Sequence, residues 1–159
     1  MPQDSRQSAL ELKVPPLAVG LFVAALMWLV SWELPVFWFL VPARKALMVG
    51  LAAAGGFLSI LGVNSFWRVR TTVNPMNPAL TSALVVSGVY AVTRNPMYLG
   101  FLLLLAGWAI SLSNAGAFLL LPFFVFYMNH FQIEPEERAL ALKFGQQFLA
   151  YKSRVRRWL

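Results

Sequence analysis

The sequence predicts an all-α integral membrane protein with about four transmembrane helices, a cytoplasmic loop and a C-terminal amphipathic helix. Three observations predict it. The 159 residues are 59% hydrophobic and 12% charged, with a mean hydropathy of +0.66, whereas soluble domains run at about 45–50% apolar and about 25% charged. The apolar residues gather into runs approaching the roughly 20 residues that cross a hydrocarbon core of about 30 Å. The basic residues, which give a net charge of +7, fall almost entirely on one side of those runs. The same composition excludes disorder, which needs a polar, charge-rich chain. The lack of Cys excludes a disulfide framework, a zinc-thiolate site and a cysteine nucleophile. A single His excludes a multi-histidine metal site.

The elements follow in order along one membrane domain, 1–159. Residues up to Lys13 read as a polar tail. They lack the basic start and apolar centre of a cleavable signal peptide. The first span is expected over 14–33, ended by Glu33 and Pro35, and the aromatic stretch Phe37, Trp38, Phe39 suits a membrane interface. The second span, 43–66, is rich in Gly, Ala and Ser. Small residues let helix backbones approach in lipid, so this helix is expected at the bundle centre. Residues 69–96 hold Pro75, Pro78 and Gly88 and read as a long irregular connection, with apolar 83–86 dipping into the interface. Such connections are often functional. Spans three and four are expected over 97–112 and 117–131, joined by a polar turn at Ser113 to Gly116. The segment 134–159 is expected to be one amphipathic helix. Pro135 and Glu136–Glu137 sit at its start, and Leu140, Phe144, Phe148 and Tyr151 form its apolar stripe.

With four spans, the tails and the 69–96 connection share one side, which carries 11 of the 13 Lys and Arg residues. The other side holds Arg44 and Lys45. The positive-inside rule then places both termini in the cytoplasm. Anionic lipid headgroups, rather than nucleic acid, are the expected partners of this charge.

Two clusters on that side carry chemistry. One is Tyr90 followed by Arg94-Asn95-Pro96-Met97-Tyr98-Leu99-Gly100, at the mouth of the third span. A helix N-terminus beside a guanidinium suits a carboxylate or other anion; anchoring to lipid phosphates explains the same residues equally well. The other is Glu134, Glu136 and Glu137 with Arg138. These carboxylates suit an ammonium or sulfonium, while helix-dipole charge and a Glu134–Arg138 pair are the plain alternative. His130, at the end of the fourth span, is a candidate base and equally a packing residue.

The ordered pair of clusters resembles the integral membrane isoprenylcysteine carboxyl methyltransferase family and its bacterial relatives, which are related to phospholipid methyltransferases. The resemblance runs over about 69–159 through Arg-Asn-Pro-x-Tyr-x-Gly, an apolar hairpin, then Glu-Glu-x-x-Leu-x-x-x-Phe-Gly-x-x-Phe-x-x-Tyr. It implies S-adenosylmethionine as methyl donor, a lipophilic or lipid acceptor, and a bacterial inner membrane. By that resemblance Tyr90, Asn95, Pro96, Tyr98, Gly100, Glu136, Glu137 and Tyr151 contact the donor, with Arg94 and Glu137 catalytic. Asn95 stands where the family has His, and Phe148 where it has Tyr. The implied acceptor is an isoprenylcysteine-type carboxylate, positioned by Arg94 or a tail Arg. A phospholipid amine, which needs a base, is the alternative. A small four-helix transporter is the reading from another class, with a non-catalytic membrane scaffold beside it.

Overall fold

The computed structural model describes residues 11–69 and 76–159, so the expectations on Arg70 to Pro75 and on the first ten residues lie outside the described part. Six α-helices follow one another: α1 (Pro16–Glu33), α2 (Arg44–Arg68), α3 (Pro96–Leu112), α4 (Ala115–Tyr127), α5 (Glu134–Phe144) and α6 (Gln146–Arg154). No strand is present among the described residues. The membrane helices begin and end within a few residues of the expected spans. α1, α2 and the continuous helix Ala115–Phe144 are long and apolar enough to cross a membrane; α3 is apolar but has 17 residues, so the count of four spans is approximate.

The helices run alternately up and down. At one end Asn114 Nδ2 donates to Leu34 O (2.9 Å), Phe39 N donates to Ser113 O, and Arg44 reaches Ser113 Oγ. Asn114 also caps α4 by accepting from Gly116 N. At the other end lie the start of α1, the end of α2, the start of α3 and all of α5 and α6. Nine of the eleven described Lys and Arg residues sit at that end.

α3, not α2, is the central helix: it packs on α1, α2 and α4, while α2 packs chiefly on α3. The small residues of α2 serve a single face. A Cβ on Gly100 of α3 would lie 2.6 Å from Gly55 O, and Gly55 and Gly62 are the residues of α2 that are buried. Val49, Phe57 and Ile60 on its far side stay exposed, as lipid-facing residues do. Close approach on one side therefore does not require burial on all sides.

The C-terminal region departs from expectation twice. α4 does not stop before Pro135. It continues through a π-helical turn, Met128–Ile133, into α5. Pro135 has no N–H for the carbonyl four residues back, and Leu12 N donates to that Phe131 O at 3.1 Å. Second, the expected single amphipathic helix is two. Gly145, at φ +51° and ψ −124°, breaks it into α5 and α6 in a conformation that suits only glycine. The apolar stripe survives the break, since Phe148, Tyr151 and Val155 pack with Leu140, Phe144 and Leu84.

Gly100→Ala should cost about 1–3 kcal/mol through overpacking and lower the melting temperature in detergent, whereas Gly20→Ala, whose Cβ meets nothing within 4 Å, should not. Equal melting temperatures would contradict the close α2–α3 contact.

Candidate functional site

The first 19 residues of the continuous helix, Ala115 to Ile133, rise about 28 Å at roughly 1.5 Å each. That length is enough by itself to cross a membrane, without the charged start of α5. At this basic end a cleft opens between α3, α5, α6 and the 78–90 connection. Its atom-free space, counting the open mouth, is about 810 Å³. Its lining mixes polar side chains, Tyr90, Arg94, Asn95, Tyr98, Glu136, Glu137 and Tyr151, with apolar ones, Phe66, Leu84, Val85, Met97, Ile133, Leu140 and Phe148.

The structure thus brings together seven of the nine residues the sequence singled out. Pro96 is buried at the start of α3 and does not line the cleft, and Gly100 faces α2 instead. His130 is exposed, stacked on Phe126 and away from the cleft. Arg138 reaches Glu11 rather than Glu134, which pairs with Arg157.

The adjacent carboxylates are held differently. Glu137 is buried and saturated. Its Oε1 accepts from Arg94 Nη2 (2.8 Å) and Arg157 Nε (3.2 Å), and its Oε2 accepts from Arg157 Nη2 (3.0 Å) and Lys152 Nζ (2.9 Å). Burial raises its pKa, but the bonds from Arg157, Lys152 and Arg94 outweigh it and hold the carboxyl at about 2. The same contacts raise Arg157. Glu136 pairs with no cation among the described residues. Its Oε1 accepts from Tyr98 OH (2.5 Å) and Gln132 Nε2 (2.6 Å), and burial, only partly offset by these bonds, pushes it up to about 7.

Arg94 is consumed by the fold. Its Nη1 donates to the carbonyls of Lys152 (2.9 Å) and Val155 (2.5 Å), and Nη2 goes to Glu137. Asn95 does not cap α3; its Nδ2 donates to Arg157 O (2.9 Å), and Arg94 N donates to Arg156 O. Residues 152–157 are therefore laid along 93–95 as an added wall. Tyr151 OH donates to Tyr90 O (2.7 Å). Burial raises both phenols, Tyr151 to about 12 against the opposing charge of Arg94, so both stay protonated at neutral pH. Sequence reasoning missed Arg157, Lys152 and Gln132 as site residues. Gln132 stands one helical turn before Glu136 and was legible by spacing; nothing local marks Arg157.

Comparison with known proteins now decides the family. The family model described as phospholipid methyltransferase matches residues 43–147, from the start of α2 to the start of α6. The chain belongs to the phospholipid methyltransferase family. Its relation to the isoprenylcysteine carboxyl methyltransferases agrees with the resemblance read from the two motifs. By family the chain is a methyltransferase, and with its apolar helices a membrane one. It is also similar to an uncharacterized protein of Haemophilus influenzae, 46% identical over 63 residues, 40% of this chain and all of that protein. No solved structure matches.

The ionic contacts predict a pH window. Glu137 titrates at about 2 in the fold against an ordinary 4.5, so the stability it contributes is complete above 4.5 and lost as pH falls toward 2. Glu136, at about 7, has the opposite sign and loses its contribution as pH rises from 4.5 to 7. Limited proteolysis should show the segment after Gly145 released on acidification below about 4.5, and released in Glu137→Gln at neutral pH; a tail equally resistant in both would contradict the ionic latch.

Proposed function

We propose that this membrane methyltransferase takes S-adenosylmethionine as donor in the cleft and transfers its methyl group to a lipophilic acceptor that enters from the bilayer. The observation that carries this is a cleft at the basic end of the apolar helices whose lining is both polar and apolar. The residues fit such a donor. Arg94 Nε is a buried donor with no partner among the described residues, and it lines the cleft. Tyr98 and Asn95 supply further polar atoms, and Phe148 and Leu140 supply apolar surface. Bound there, S-adenosylmethionine would supply a methyl carbon on an activated sulfonium. The chain's own part is alignment and exclusion of water, which the added 152–157 wall serves. By the positive-inside rule, the cleft and both termini face the cytoplasm of a bacterial inner membrane.

Of the two acceptor classes, the amine is better served. A carboxylate acceptor needs an uncommitted cation, but Lys152, Arg157 and the terminal nitrogens of Arg94 are engaged by Glu137 and backbone carbonyls, and Arg94 Nε is assigned to the donor. The carboxylate that faces the cleft without a cation is Glu136. A transporter reading has less support, since Glu33 is exposed at the far end of α1 and no carboxylate lies mid-span among the described residues.

Calorimetry with S-adenosylhomocysteine on the detergent-purified protein should show saturable binding at about one site per chain. Arg94→Ala should lose it, since breaking a buried ion pair costs about 3–5 kcal/mol. No binding by folded wild-type protein would contradict the donor assignment.

A further inference from the structure

Glu136 and Glu137 are neighbours in sequence and differ in everything else. Both Glu137 oxygens are spent on three cations. Glu136 receives its two hydrogen bonds on one oxygen, Oε1, from Tyr98 and Gln132. Those bonds fix the side chain's direction and leave Oε2 with no hydrogen bond among the described residues, in a residue that lines the cleft. The terminal nitrogens of Arg94, the cation among the cleft's lining residues, are taken by Glu137 and by backbone carbonyls. A carboxylate oriented by two donors, unpaired and facing a site bounded by apolar surface is suited to receive a proton or a positive charge from whatever occupies that site.

Resting on the reading of this cleft as a methyl-donor site, we propose that Glu136 is the catalytic base of the transfer and that Glu137 is confined to holding the wall. Glu136 takes the proton from the ammonium of an amine acceptor onto Oε2. The freed nitrogen lone pair forms the N–C bond as the donor's S–C bond breaks, with its electron pair going to sulfur. The product leaves as the methylated ammonium, and Glu136 passes its proton to water. Tyr98 and Gln132 are positioning residues that aim the carboxylate. The titratable and charged groups facing it are Tyr98 from α3, Tyr90 from the connection and Glu137 beside it. Glu137 stays ionised down to about 2, and the Tyr90 phenol is held protonated by burial. The group that titrates near neutrality is thus Glu136 itself, at about 7.

The test needs no acceptor. Sinefungin carries an amine where the methylated sulfonium of the donor stands, and S-adenosylhomocysteine has a neutral thioether there; the rest of the two molecules is shared. Calorimetry on the full-length protein in detergent should show sinefungin preferred by at least about tenfold at pH 8, the size of one charge-assisted hydrogen bond. The preference should shrink as pH falls below 7 while S-adenosylhomocysteine binding holds. Glu136→Gln should bind S-adenosylhomocysteine as the wild type does and lose the preference. A preference that is flat with pH in the wild type, or that survives in Glu136→Gln, would overturn the proposal. So would loss of both ligands from a folded Glu136→Gln protein, which would make Glu136 a donor-holding residue. Binding of neither ligand by the wild type is a different failure: it would remove the donor site itself, and the base with it.

Discussion

Glu137 is 7% exposed and shares its two oxygens among Arg94, Lys152 and Arg157, and the cleft exists because of that sharing. A carboxylate taken out of water carries a desolvation cost that only well-placed partners offset. Here the partners come from two places far apart in sequence: Arg94 at the mouth of α3, and Lys152 and Arg157 in and just after α6. Glu134 adds a second carboxylate against Arg157. The ions alone would be a loose arrangement. Backbone hydrogen bonds fix it, because the carbonyls of residues 152, 155, 156 and 157 are all taken by donors from residues 93–95.

The membrane helices matter to this chemistry as the frame that fixes where Arg94 and Glu137 stand. Close contact at Gly55 and Gly100 sets α3 against α2 and so sets the position of the residues just before α3. The uninterrupted helix from α4 into α5 carries Glu136 and Glu137 beyond the apolar span on a rigid rod. One weak point of it, the carbonyl that Pro135 leaves free, is closed by Leu12 from the opposite end of the chain. The π-helical turn just before α5 fits this picture, since such turns often occur at functional sites. It sets the rotation of α5 that presents Glu136 to the cleft.

Much of this was legible in the sequence because its signals are local. Hydropathy located the membrane helices. The charge imbalance located the functional end. The Arg94–Gly100 and Glu136–Glu137 motifs pointed to residues that mostly share one cleft. What was not legible depends on contacts between distant residues. A run of small residues in α2 says that something packs closely but not on how many sides, so α3 took the centre instead. Pro135 read as a helix start because its missing N–H is harmless there; the donor that lets the helix run through it lies over a hundred residues away. Gly145 sits inside a good apolar stripe, and only its positive φ shows the break. Arg94 looked like a free cation until its three backbone and carboxylate partners were seen, and Arg157 carries no local mark at all.

The central claim is that Glu137 and Arg157 act as one unit in building the cleft. A double-mutant cycle tests it most directly, comparing Glu137→Gln, Arg157→Gln and the double variant by unfolding in detergent. The account predicts that the double variant is more stable than the sum of the two single losses implies, by about 0.5–3 kcal/mol, because removing both partners leaves fewer uncompensated buried charges than removing one. Losses that simply add would show that the two residues act independently and that something else holds the wall in place.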